Sequence, residues 1–278
     1  MNAPLQRLLQ PNENIAFLDA EFNNYGMAKE IISLGIVICN KNYDIIDEYY
    51  SLINPPTLSK INHPVAELTG IKQQDIDCAP DFYAVSQNVQ ELVNKYNVLN
   101  IYVWGNCDKP TFEETKYNYM RKNSDVKIKF FNYIGIFRNI DGMCSHYLFP
   151  NIKQDAIGLS KLAYACEIIN DSKHNALSDA KELYRCIKAM RDYNINKKKK
   201  MIVEDYYIKM SEYIKMRRIK TQSPQKECAI AVNDAIISLY NSDITCKAYI
   251  DDGICMGLVQ KFTEPRFFSF EEFIASKE

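Results

Sequence analysis

With 278 residues, 47% of them apolar and 25% charged, and a formal net charge of -1, the chain has the balance of one large globular domain, or of one domain with a smaller companion. It contains no apolar run long enough for a transmembrane helix, and Met1 to Asn14 lacks the basic-then-apolar pattern of a signal segment. Nine cysteines stand singly without a C-x-x-C pair, which argues against a disulfide framework or a zinc site and for reduced thiols in a cytoplasm.

Residues 1–13 read as an N-terminal tail. The first element is a strand, Ile15-Ala16-Phe17-Leu18, running into Asp19-Ala20-Glu21-Phe22. Glu30 to Cys39 and Tyr43 to Ile53 read as two more strands, joined through Asn40-Lys41-Asn42 as a hairpin and stopped by Pro55-Pro56. A loop with short helical pieces follows. Asp81 then caps a helix to about Tyr96, with Phe82, Val85, Val89, Leu92 and Val93 on one stripe. Leu99 to Trp104 is the expected fourth strand, after which Gly105 to Asp108 turn into a helix that begins near Pro110. Phe130 to Ile136 is the expected fifth strand. Helices follow around Asp141 to Leu148, Gly158 to Glu167 and Asn175 to Arg191, the last with Ala176, Ala180, Leu183, Ile187 and Met190 on one face. A three-strand meander, then strands alternating with helices, gives an α/β fold with a mixed sheet.

Beyond Tyr193 the composition shifts. Arg185 to Lys226 holds thirteen Lys or Arg against four Asp or Glu, a local +9, so the rest of the chain carries -10. This basic helical linker, residues 194–226, suits contact with a nucleic-acid backbone; a solvated helix face is the alternative. Residues 227–278 read as a small α+β module: a helix from Cys228 to Tyr240, then strands at Thr245 to Ile250, Ile254 to Phe262 and Phe267 to Phe270. Asp251-Asp252-Gly253 is the hairpin turn between the first two.

Chemistry concentrates in the acidic residues of the α/β part. On a strand, residues two apart share a face, so Asp19 and Glu21 lie side by side at the end of a core strand. Such a pair is unfavourable unless a cation lies between its members. Asp108 opens the helix after the fourth strand, and Asp179 lies on the late helix five residues after His174. Sites in open α/β sheets gather at strand ends and neighbouring helix starts. Four carboxylates converging there would bind hard divalent cations through oxygen. A histidine beside them can accept a proton near neutral pH.

Asp19-x-Glu21, then Asp108, then His174-x-Ala176-x-x-Asp179-Ala180 resemble the three motifs of the DEDDh 3′–5′ exonucleases, as do Glu67-Leu68-Thr69-Gly70-Ile71 and Ala79-Pro80-Asp81-Phe82. The resemblance runs from Ile15 to Tyr193 and marks residues 14–193 as the exonuclease domain. It implies a ribonuclease-H-like mixed sheet flanked by helices, and release of nucleoside monophosphates from the 3′ end of RNA or single-stranded DNA. By the same resemblance Asp19, Glu21, Asp108 and Asp179 hold two divalent cations, Mg²⁺ or Mn²⁺, and His174 is the general base. Where many members follow the first Glu with residues ending in Thr-Gly, this chain has Phe22-Asn23-Asn24. Phe22 and Asn23 are the candidate nucleic-acid contacts there; Phe22 could stack on a base or pack into the core. Trp104-Gly105-x-x-Asp108 resembles the KapD-type and histone-mRNA-exonuclease branch, which leans towards RNA. The rival reading is a non-catalytic regulatory or nucleic-acid-binding protein that keeps the exonuclease fold. A missing carboxylate would favour it, and none is missing.

Overall fold

β1 (Ile15–Tyr25) is the central strand, its first four residues all buried, and four further strands complete the sheet around it. The computed structural model describes residues 3–26, 28–152, 157–170, 172, 174–201, 203–204 and 207–208. β2 (Ala28–Cys39) returns antiparallel to β1, and β3 (Ile45–Leu52) returns antiparallel to β2. β4 (Ile101–Val103) then pairs parallel to β1 on its other side, and β5 (Phe137–Asn139) pairs parallel to β4. The order is β3-β2-β1-β4-β5, a mixed sheet of the kind the sequence implies. β1 continues past Phe22 because a second hairpin joins it to β2, and Gly26 there takes a left-handed φ of 61°. Ile32 is the extra residue of a bulge in β2: Glu21 pairs with Ser33 and Phe22 with Ile31.

The helices are α1 (Ala3–Leu9), α2 (His63–Thr69), α3 (Gln73–Asp77), α4 (Phe82–Lys95), α5 (Asp108–Lys122), α6 (Asp141–Leu148), α7 (Leu159–Ala165) and α8 (Ala176–Arg191). α1 falls in the stretch read as a tail, and its Leu5, Leu8 and Leu9 are buried. Asp81 caps α4 as expected, its carboxylate accepting from the Ala84 N–H at 2.8 Å. One face of the sheet (Ala16, Leu18, Leu34, Ile36) buries itself against Phe82, Val85 and Val89 of α4 and Phe112 of α5. On α8, Tyr184 sets its ring 5.9 Å from that of Phe17 and donates its hydroxyl to the Tyr43 carbonyl at 2.7 Å.

Phe130 to Ile136 is not a strand. Ile128–Ile136 is a 3₁₀ helix, and the fifth strand is the three residues that follow it. Phe131 and Ile134, three apart, bury the same side of that tighter turn. Side chains of α4 take up what a ladder would otherwise hold: the Gln90 carbonyl accepts from the Tyr133 N–H at 2.8 Å, and Ser86 Oγ lies 3.1 Å from the Tyr133 hydroxyl.

Two buried polar side chains fix the loop after β3. The Glu30 carboxylate accepts from the Thr57 N–H, the Thr57 hydroxyl, the Leu58 N–H and the Asn118 amide at 2.6–2.8 Å. Asn23 donates to the carbonyls of Leu58 and Lys60 at 2.8 and 2.7 Å and accepts from the Asn62 N–H at 2.9 Å. All of these bonds are long-range, and together they set the path of the chain into α2.

The chain divides into two compact units, the first within Met1–Cys144 and Cys166–Asn194. The described part of the second includes α7, with the Asn196 N–H donating to the Ala165 carbonyl at 2.9 Å. Lys199 lies 4.7 Å from the centre of the Tyr164 ring, whereas Lys197 and Lys198 are exposed. The basic stretch is described only as far as residue 208, and the expected module of residues 227–278 lies outside the described residues. No helix among the described residues is long and apolar enough to cross a membrane.

Candidate active site

β1 delivers Asp19 and Glu21 to one face, opposite Gly35 and Ser33 of β2, but from mid-strand rather than from its end, because the hairpin to β2 carries β1 on to Tyr25. β4 runs parallel to β1 with Tyr102 opposite Phe17, so it ends at Val103 just short of the level of Asp19. The chain leaving β4 turns at Gly105, whose φ is 104° and whose N–H donates to Asn139 Oδ1 at 3.0 Å. It then enters α5 with Asp108, buried, as the first residue. α8 arrives from the other side. Its N-cap Asn175 accepts from the Ser178 N–H at 3.1 Å, and Asp179 lies in the first turn. The backbone N–H of His174 donates to Asp179 Oδ2 at 2.9 Å. His174 itself is exposed and holds a left-handed φ of 63°.

The charges of this cluster act on one another. Burial, then the charges of Asp108, Asp179, Glu21 and Glu182, pushes the Asp19 carboxyl well above the usual carboxylate range. Burial and the Asp179 charge lift Glu21 to about 7. Burial, opposed by its own backbone hydrogen bond and aided by Glu21, lifts Asp108 to about 7. Ligand atoms of Glu21, His174 and Asp179 all lie within 4.8 Å of one another. An oxygen-rich donor set with this much unrelieved negative charge fits hard divalent cations.

A pH dependence follows from these shifts. The folded chain holds the Glu21 and Asp108 protons over a range in which the unfolded chain has already released them. Metal-free stability therefore falls as pH rises from about 5 through about 7, and levels off above that. In chelator, the protein is expected to melt at a lower temperature near pH 8 than near pH 5.5, with Mn²⁺ restoring more at the higher pH. A flat melting profile in chelator would contradict the shared charge.

The structure brings Asp19, Glu21, Asp108, Asp179 and His174 together. Phe22 is half-buried and packs against the core. Asn23 is corrected: it is fully buried and its amide holds the loop after β3, which leaves no polar atom of its side chain for nucleic acid. Glu182 went unread in the sequence, although its place three residues after Asp179 puts it on the same helix face. It is buried, and its charge adds to those on Asp19.

Gly35 also went unread, and it sets the height of α8 above the sheet. A Cβ there would lie 2.2 Å from the Leu177 nitrogen and 2.4 Å from the Ala176 carbonyl carbon, both of them backbone. Glycine inside a strand often marks such a close approach. Gly35→Ala must therefore lift the first turn of α8, and with it Asp179, by roughly 1 Å, a displacement that can lower turnover about 10²-fold. Steady-state rates alongside a melting curve check this; wild-type turnover in a folded variant would refute it.

Comparison with known proteins agrees with this geometry. Residues 16–187 match the family model described as Exonuclease, RNase_T. No curated protein matches the chain. Among solved structures, the 3′-exonuclease in a complex described as 3′-end-specific recognition of histone mRNA stem-loop superposes with a TM-score of 0.53 at 19% identity, over 65% of this chain and 64% of that one. The nuclease domain of 3′hExo, a DEDDh family member bound to rAMP, gives 0.53 at 20% identity over 66% and 96%. Cell-death related nuclease 4 gives 0.52 at 15% identity over 67% and 66%. The likeness to these three is one of fold, the ribonuclease-H-like mixed sheet. The family match itself runs from β1 to α8 and takes in all four clustered carboxylates and His174, so this chain belongs to the exonuclease family.

Proposed function

We propose that the chain is a metal-dependent 3′–5′ exonuclease releasing nucleoside monophosphates from the 3′ end of RNA or single-stranded DNA. The observation that carries this reading is the convergence of Asp19, Glu21, Asp108 and Asp179, three of them with raised pKa values, on one strand edge beside an exposed imidazole. These four carboxylates would hold two divalent cations, Mg²⁺ or Mn²⁺. Bound there, the cations supply positive charge to the phosphate oxygens and make water a better nucleophile near neutral pH.

The chain's own residues do the rest. His174 takes the proton of the attacking water at its ring nitrogen, and its exposed position lets that proton pass on to solvent. The hydrogen bond from its backbone to Asp179 keeps the ring beside the carboxylates. Asn23 and Glu30 keep the loop before α2 fixed against β1 and β2. The Trp104-Gly105-x-x-Asp108 pattern alone favours the KapD-type and histone-mRNA-exonuclease branch, and the likeness to a 3′-exonuclease that recognises a histone mRNA stem-loop and to one bound to rAMP favours RNA. The nine cysteines, with no C-x-x-C pair in the sequence, favour a reducing compartment such as the cytoplasm.

The test is degradation of single-stranded RNA and DNA carrying a label at either end, with Mg²⁺ or Mn²⁺. Labelled mononucleotide should appear at once from the 3′-labelled strand and only at the end from the 5′-labelled one. No release with either cation would leave the non-catalytic binding protein as the reading.

The exposed lysines bear on how long substrates are held. Changing Lys197 and Lys198 to Gln is expected to weaken binding of long single strands and to reduce the log-log salt slope by about 0.7 per lost phosphate contact. Cleavage of a dinucleotide should not change. An unaltered slope would make this run a solvated helix face.

A further inference from the structure

Asp179 is held by two residues that precede α8, Asn170 and His174. Asn170 Nδ2 donates to Asp179 Oδ1 at 2.5 Å, while the backbone N–H of His174 donates to Oδ2 at 2.9 Å. Asn170 also faces back into its own loop, where its Oδ1 accepts from the Ser172 N–H at 3.0 Å. The Ser172 carbonyl in turn accepts from the N–H of Asn175, the N-cap of α8, at 3.3 Å. One amide therefore ties a carboxylate of the cluster to the loop that presents the imidazole.

Both halves of that amide act. A carboxylate on a helix turns about its last torsion unless charge-assisted hydrogen bonds fix its plane. With both oxygens bonded from the loop, Asp179 is oriented before an ion arrives and loses less freedom when one binds. The bond to Ser172 meanwhile sets the turn from which His174 enters its left-handed backbone conformation.

We propose that Asn170 is a positioning residue which sets the Asp179 carboxylate and the His174 loop as one unit, coupling ion binding to presentation of the base. This rests on the exonuclease reading of the site. Asn170 touches neither substrate nor reacting atoms in this scheme; it acts through Asp179 and His174.

The test uses the full chain with Asn170→Ala, Asn170→Leu and Asn170→Gln. Mn²⁺ binding is followed without nucleic acid by the electron paramagnetic resonance signal of the free ion, and kcat and KM are measured on a single-stranded oligonucleotide. Asn170→Ala and Asn170→Leu should each weaken Mn²⁺ binding about 10–100-fold and lower kcat by a similar factor. KM for the oligonucleotide should stay within about twofold. Asn170→Gln, which restores a donor on a longer arm, should recover part of both losses. Leu keeps the branched shape of Asn without a hydrogen-bonding atom, so a purely space-filling role would leave Asn170→Leu nearer the wild type than Asn170→Ala; wild-type Mn²⁺ binding and kcat in Asn170→Leu would overturn the proposal. Mn²⁺ binding and kcat within about twofold of wild type in both Ala and Leu variants would overturn it as well. A wild-type protein that binds Mn²⁺ yet cleaves nothing would refute the exonuclease reading instead, and the ion-binding arm would still decide whether Asn170 orients Asp179.

Discussion

Asp19→Asn is expected to abolish cleavage, by about 10³-fold or more, equivalent to roughly 4 kcal/mol of barrier. It is also expected to raise the melting temperature of the metal-free protein at neutral pH. The two effects have one origin. Asp19 lies where burial and four neighbouring carboxylates all oppose its charge. Without an ion, removing that charge relieves the fold. With divalent cations present, the same change replaces an anionic oxygen of the proposed cation site by a neutral amide oxygen. Loss of activity with a gain in metal-free stability separates a functional carboxylate from a structural one, whose removal would lower both. Retained cleavage would end the assignment of chemistry to this cluster.

Replacing His174 should lower turnover about 10²–10⁴-fold while leaving KM nearly unchanged, the signature of a lost general base. Asn is the better replacement than Ala. The backbone at His174 has a φ of 63°, which Asn tolerates and Ala resists by roughly 1–2 kcal/mol, so His174→Asn changes the ring without straining the loop. Mn²⁺ binding should move little if, as proposed, the four carboxylates are the ligands. The imidazole is nonetheless within 4.8 Å of ligand atoms on Glu21 and Asp179. A collapse of Mn²⁺ binding in His174→Asn would make the ring a ligand and would reassign the base.

The site was legible in the sequence where chemistry and periodicity coincide. Asp19 and Glu21 stand two apart on a strand, and His174 and Asp179 stand five apart across a helix start, so local spacing carries the information. Asp108 was legible because the chain turns from strand to helix immediately before it. The misread elements are those that distant partners decide. The apolar run at Phe130 to Ile136 looks like a buried strand, yet Gln90 and Ser86 on α4 hold it as a 3₁₀ turn. Asn23 stood where a substrate contact was expected, but its partners are Leu58, Lys60 and Asn62, more than thirty residues away. Asn170 has no pattern of its own; its role depends on the fold of one loop. Gly35 did carry a signal, since glycine within an apolar strand implies a close neighbour, but not the identity of that neighbour.

The close seat of α8 on Gly35 also bears on the order in which the molecule is made. Asp19 and Asp179 are separated along the chain by 179 − 19 = 160 residues. The meander of β1, β2 and β3 closes through short local turns and can form while the rest of the chain is still being synthesised. The last carboxylate arrives with α8, at about 5–20 residues per second, roughly ten to thirty seconds after the first. Until that helix docks, the growing chain has a sheet without the complete carboxylate cluster.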